Sequence, residues 1–238
     1  MKNRTKVSKL LKGFIAMIQT QFDKKVKVVR NDNGLEFTSG PMHGFYFEHG
    51  ILQESSYVHT PQQNGRVEHK HRHTLNVARA LRFQAFLPIQ FWGNCVLTAT
   101  YLINCTPTKL LKGKSPNEAI YGCGPSYNEI RVFGSLRFAW NNPRMKDEFA
   151  SRNRKCVFLG YPFGKKGWRV CDLETNETFI SRDVVFWKSQ FPFTLSDQQN
   201  ASDLGTLWKS NVTLEDEFGP NENLALPAQH PRLEEARE

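Results

Sequence analysis

The apolar residues change their period near Val132, and that change confines the chain to an α/β architecture in two parts. Before it the spacing is mainly helical. Val7, Leu10, Leu11, Phe14, Ile15, Ile18 and Phe22 recur at helical intervals with lysines between them, which predicts an amphipathic helix at the start. The run from Val26 to Val29 reads as a short buried strand that ends in the turn Asn31-Asp32-Asn33-Gly34. A second helix is expected from Pro41 to Glu48, stopped by Gly50, with a strand at Ile51-Leu52-Gln53. After Val132 the pattern is one of short β runs: Val157–Tyr161, Trp168–Asp172, Thr178–Ile180 and Asp183–Phe186. Four strands at this spacing predict a small barrel or half-open sheet.

Between these parts lie three further helical signals. Thr60-Pro61-Gln62-Gln63 has the composition of a helix start, with Thr60 as cap, Pro61 at the first helical position and Gln63 completing a capping box. A loop that becomes helical only near Gly65 fits the same residues. In either case Val67, His71, Leu75, Ala78 and Leu81 share one face, and Glu68, Arg72 and Arg79 lie off it. A helix from Pro88 to about Asn104 carries a stripe of Trp92, Cys95, Val96, Ala99, Leu102 and Ile103. Ser115-Pro116-Asn117-Glu118 repeats the capping pattern and opens a short helix that Gly122 ends. Beyond Phe193 the chain is polar, acidic and unpatterned, and a disordered tail is expected there.

Charge separates the tail from the rest. Residues 191–238 hold 3 Lys/Arg and 9 Asp/Glu, a net of −6, so the overall +9 leaves +15 on residues 1–190. A basic folded part favours an anionic partner, nucleic acid above all, although a generic basic surface has the same composition. The five cysteines, Cys95, Cys105, Cys123, Cys156 and Cys171, are odd in number and show no CxxC pair. That argues against a disulfide framework and a cysteine zinc site, and suits a reducing compartment. No apolar run has the length of a signal peptide, and none reaches the roughly 18 residues of a membrane span. A nuclear or cytoplasmic location is expected.

Two acidic residues stand out for chemistry. Asp32 follows a strand, Glu68 sits on a helix, and 35 residues lie between them. Each alone has an ordinary explanation, an Asp in an Asn-Gly turn and a Glu on a solvated helix face. Together, Val28–Phe37 and Pro61–Glu68 resemble the catalytic core of retrotransposon integrases of the copia type, a family marked by two Asp and one Glu. The likeness continues. Pro88–Trp92 is similar to the helix after the catalytic Glu, and Asn104–Thr108 and Lys114–Glu118 to later landmarks of the core. Ser151–Tyr161 and Ser181–Phe186 are similar to the barrel-like module beyond it.

The resemblance implies a fold and a chemistry. The fold would be an incomplete ribonuclease-H-like integrase core over residues 1–122, a linker at 123–130, an SH3-like β module at 131–190 and the acidic tail at 191–238. Asp32 and Glu68 would be catalytic and would ligate Mg²⁺ or Mn²⁺, with no zinc. Asn64, Lys70, Arg72, Arg152, Arg154, Lys155, Lys165 and Lys166 would contact nucleic acid. The partner would be DNA and not a membrane, and the resemblance leaves a homo-oligomer open. In the family two divalent ions, roughly 3.5–4 Å apart, activate the attacking oxygen and stabilise the leaving one.

This chain departs from the family in several places. The first catalytic Asp of the family lies tens of residues before the second, and only 31 residues precede Asp32. The expectation is therefore a fragment with two of three carboxylates that binds nucleic acid but catalyses nothing alone. A co-opted DNA- or protein-binding module built on the same scaffold is the alternative. His69 stands where Arg is usual, Leu35 replaces a Gly, and Ser135 and Arg137-Phe138 replace a Cys-rich stretch. His69 and His73 are one helical turn apart, as zinc ligands would be, but without a third ligand they read as DNA-facing or solvated.

Overall fold

The apolar stripe at the chain start folds as helix α1, Thr5–Phe22, and packs Ile15 inward. A computed structural model describes residues 5–57, 65–140 and 153–193. These divide into two compact units between Arg72 and His73, inside helix α4, Gly65–Gln84. The expected tail beyond Phe193, Thr60–Gln63, Asn64 and Arg152 lie outside the described residues, whereas Phe191 and Phe193, at the start of the expected tail, pack on the core of the second unit.

In the first unit Ile15 meets Met42, Tyr46 and Ile51, with Leu11, Val26, Val29 and Phe45 at the margin. The Ser8 hydroxyl donates to the Glu36 carbonyl at 2.8 Å and ties α1 to the short helix α2, Leu35–Thr38. Helix α3, Gly40–Glu48, carries Pro41 in its first turn, and Gly50 follows it at φ +62°, as the sequence pattern predicts. Strands β1, Val28–Asn31, and β2, Leu52–Ser55, pair in parallel, with Val28 opposite Leu52 and Asn31 opposite Ser55. Parallel strands need a crossover, and α2 and α3 supply it. The strand begins two residues later than the expected run, and Val26 packs on the core from the preceding loop.

The second unit joins helices to a sheet. The expected face of α4 is buried only in its later half. Val67 is 61% exposed and His71 is exposed, whereas Ala78 is buried and Leu81 packs beside it. Helix α5, Trp92–Cys105, starts later than Pro88, after a 3₁₀ turn at Ile89–Phe91. Phe91 takes the buried place expected of Trp92, which is half exposed. Helix α6, Pro116–Tyr121, is capped as predicted. The Glu118 N–H donates to the Ser115 hydroxyl at 3.1 Å, and Gly122 closes the helix at φ +77°.

Five strands follow: β3, Leu136–Trp140; β4, Asn153–Gly160; β5, Trp168–Asp172; β6, Thr178–Ser181; and β7, Val184–Phe186. They form one antiparallel sheet in the order β6-β5-β4-β3-β7. Strand β3 was not expected, because Arg137 breaks its apolar run. Val157, Leu159 and Cys171 of the sheet share a core with Ala85, Leu87, Phe91, Cys95 and Ala99. The helical segment and the strand segment touch closely at two glycines with positive φ, one in the turn before β3 and one at the end of β4. A Cβ at Gly134 (φ +74°) would fall 2.2 Å from the Ala85 Cβ, and one at Gly160 (φ +118°) 2.3 Å from the Thr98 hydroxyl oxygen.

Arg137 is fully buried. Its guanidinium lies over Phe186 at 4.1 Å and Phe158 at 5.4 Å, and it donates to the carbonyls of Leu136 and Val132 at 2.9 and 3.2 Å. Among the described residues the Nε has no acceptor. Arg131 covers the same Phe186 ring at 4.8 Å. Burial, and then the charge of Arg131, push the Arg137 guanidinium down to about 10. Four cysteines, Cys95, Cys105, Cys156 and Cys171, are buried and Cys123 is exposed. Burial raises the buried thiols, Cys95 and Cys171 to about 11 and Cys156 to about 12.

Two stability predictions follow from this unit. Gly134→Ala and Gly160→Ala should each destabilise it by about 2–5 kcal/mol, the sum of left-handed strain and overpacking, read by denaturant titration. Burial holds the Arg137 guanidinium below its ordinary range, so folding releases a proton in a window that opens at about 10 and ends at the ordinary guanidinium value. The cost of the buried charge is fully present below that window. Stability should rise with pH across it, relative to Arg137→Met, in denaturant melts at stepped alkaline pH.

Candidate carboxylate site

Asp32 lies just past the carboxyl end of β1, the end of a parallel strand at which open α/β sheets usually bind ligands. Its side chain is exposed. The residues on either side are held. The Asn33 N–H donates to the Asn31 side-chain oxygen at 3.0 Å, which makes an Asx turn centred on Asp32. Asn33 adopts φ +64°, a conformation Asn tolerates better than most residues, and its side-chain amide donates to the Ser56 carbonyl at 2.5 Å. The Ser56 N–H and hydroxyl both donate to the Asn31 carbonyl, at 3.0 and 3.1 Å. Sequence reading missed this network. Its signal was present in the paired Asn residues around Asp32, but the partner Ser56 is the residue just past the neighbouring strand.

Glu68 occupies the first turn of α4, where the helix dipole favours an acid. Glu68, Lys70, Arg72, His69, His71 and His73 are all exposed. Among the described residues no three His, Cys, Asp or Glu side chains converge as a metal-holding group. Asp32 and Glu68 are oxygen donors of the kind a hard divalent cation takes, and one or two carboxylates with water completing the shell is an ordinary Mg²⁺ arrangement.

The basic residues of the β sheet are in different situations. Arg154 is half-buried and engaged by Glu177 at 3.2 Å and Asp172 at 3.5 Å. Lys155 on β4 is exposed, and so are Lys165 and Lys166 in the turn from β4 to β5, where Gly164 and Gly167 take positive φ. Among the described residues no helix is long and apolar enough to cross a membrane.

Comparison with known proteins shows what these elements are similar to. Residues 135–200, which contain all five strands of the sheet, match the family model of the retroviral polymerase SH3-like domain. The chain is 32% identical over 234 residues to the retrovirus-related Pol polyprotein from transposon RE1 of Arabidopsis thaliana, covering 96% of this chain and 16% of that protein. It is 30% identical over the same length to the polyprotein from transposon RE2 of Arabidopsis thaliana, again 96% of this chain and 16% of the relative. The polyprotein from transposon TNT 1-94 of Nicotiana tabacum is 33% identical over 190 residues, 80% of this chain and 14% of the relative. The chain thus spans about a sixth of the length of the curated relatives it matches.

Among solved structures, the catalytic core domain of BIV integrase overlaps 48% of this chain and 70% of that chain, at 21% identity and a TM-score of 0.34. A simian T-cell lymphotropic virus intasome in complex with PP2A regulatory subunit B56 gamma overlaps 75% of this chain and 64% of that chain, at 11% identity and a TM-score of 0.38. Overlaps this loose carry no weight beside the sequence relatives. Those relatives match both folded stretches rather than a single motif, so over nearly its whole length the chain is similar to a segment of the retrovirus-related Pol polyproteins of retrotransposons, and its sheet matches their retroviral polymerase SH3-like domain.

Proposed function

We propose that the chain is a copia-type integrase fragment that binds DNA and presents Asp32 and Glu68 as two of the carboxylates of a DNA-joining site. The observation that carries this reading is the placement of Asp32. It is exposed at the carboxyl end of a parallel strand, on a turn held at both ends, in a chain whose relatives are retrotransposon Pol polyproteins. In this reading residues 1–122 form the partial core, 123–130 a linker, 131–190 the β module and 191–238 an acidic tail.

A bound Mg²⁺ or Mn²⁺ would polarise the phosphodiester and the attacking oxygen. The chain's own contribution is to fix the carboxylate oxygens and to hold the DNA. Exposed Lys70 and Arg72, two and four residues beyond Glu68, would bind phosphate beside the carboxylates, with Asn64 just before the helix. Arg152, Arg154, Lys155, Lys165 and Lys166 would bind the backbone from the β module. Arg154 would do so while sharing its charge with Asp172 and Glu177, so Lys155, Lys165 and Lys166 carry more of the contact. Such a protein would work in the nucleus or cytoplasm, alone or as a homo-oligomer on DNA. A co-opted binding module would use the same basic surface and leave the carboxylates idle.

DNA binding by this reading is electrostatic, because residues 1–190 carry a net +15. Affinity for duplexes of unrelated sequence should be similar and should fall steeply with salt. Lys165→Ala/Lys166→Ala should weaken binding to all of them and reduce the salt slope by roughly 2, since each phosphate contact contributes about one unit. A flat salt response would remove this mechanism.

Activity separates the two readings. Two carboxylates hold one ion, whereas paired metals need a bridging third. The 238-residue chain should give no strand transfer on DNA ends with Mg²⁺ or Mn²⁺ until a segment supplying a third carboxylate is added. Glu68→Gln should then abolish the activity gained. DNA binding with no strand transfer even after that segment is added would favour the co-opted module.

A further inference from the structure

The network around Asp32 spans two strands and serves no obvious packing purpose, since the residue it centres on is exposed. Asn31 is 5% exposed and Ser56 is 8% exposed, so both are committed to the interior while Asp32 faces out. The Asn31 carbonyl receives two hydrogen bonds from Ser56, and the Asn31 side-chain oxygen receives the Asn33 N–H. This last bond fixes which way the Asn31 amide points. It leaves the buried Nδ2 of Asn31 without an acceptor among the described residues, a costly arrangement that packing alone does not require. From the other side Asn33 reaches across to the Ser56 carbonyl. The backbone before and after Asp32 is thus fastened to one residue of the adjacent segment, and only the carboxylate is left to move.

We propose that Asn31, Asn33 and Ser56 are positioning residues that fasten the Asp32 turn so that its carboxylate is presented to a divalent cation. The proposal rests on the integrase reading of Asp32. The fastening reduces the conformational freedom lost when a ligand engages the carboxylate, which is preorganisation of a metal ligand by its supporting contacts. Ser56 belongs to this device although it is 24 residues from Asp32 and carries no charge.

The test uses the 238-residue chain, Mn²⁺ as probe, and two readouts. One is Mn²⁺ affinity by calorimetry, and the other is paramagnetic broadening of amide signals near residue 32. Asp32→Asn should abolish the broadening. Ser56→Ala and Asn31→Ala should weaken Mn²⁺ binding by about 10–100-fold, the usual effect of removing a ligand-orienting partner. Ser56→Thr, which keeps the hydroxyl, should restore it. Asn33→Gly keeps the positive φ but loses the bond to Ser56, and should give an intermediate loss with an unchanged melting curve. If Asn31→Ala fails to fold, Ser56→Ala and Asn33→Gly decide the matter. Mn²⁺ binding that depends on Asp32 yet is equal in wild type, Ser56→Ala and Asn33→Gly overturns the positioning role and spares the integrase reading. Wild-type chain that shows no Asp32-dependent binding overturns both.

Discussion

The seating of α5 on β4 is the contact on which the second unit depends. A helix can approach a sheet this closely only where side chains are small, and the chain meets the requirement on both partners. Ala99 is fully buried on the helix, and Gly160 leaves space for Thr98 on the sheet side. The Thr98 hydroxyl donates to the Leu159 carbonyl at 3.4 Å across the contact. The register shift in β4 between Phe158 and Gly160 opens the backbone at that point. One consequence is that the SH3-like sheet shares its core with helices that precede it by dozens of residues. Its inner face is completed by Ala78, Leu87, Phe91 and Cys95, so a boundary drawn by sequence likeness alone would cut through packed side chains.

Much of this fold was legible in the sequence. The elements read correctly are those whose signal is local. The α1 stripe, the Ser115 cap with its Gly122 stop, and the Gly50 stop are all written within a few residues of where they act. The misreadings share a physical cause, which is that burial is decided by distant partners. The first half of α4 has the same apolar spacing as the second, yet Val67 is left exposed while Ala78 is covered. Trp92 yields the core to Phe91 because a 3₁₀ turn precedes the helix and rotates its start. Strand β3 was hidden by Arg137, which no alternation rule would place in a core. Aromatic faces from β4 and β7 take the place of a carboxylate partner there.

The candidate site was legible to a different degree. Asp32 and Glu68 could be named because the words around them are specific as a set, and the structure puts one past a strand and the other in a first helical turn. What holds Asp32 could not be read, because half of that network comes from the residue just past the strand paired beside it. A parallel register brings Asn31 opposite Ser55 and so puts Ser56 within reach of both asparagines. That register is a property of the crossover through α2 and α3, not of either short strand.

The cysteines have a practical meaning. Alkylating reagents and oxidants act on the thiolate, and four of the five thiols are buried with their ionisation suppressed. Cys123 alone is on the surface. In the native state a maleimide dye should therefore treat the chain as if it had a single cysteine, between α6 and the sheet, without any mutagenesis. Because Cys95 and Cys171 line the core shared by α5 and the sheet, uptake of further label becomes a clock for the opening of that core.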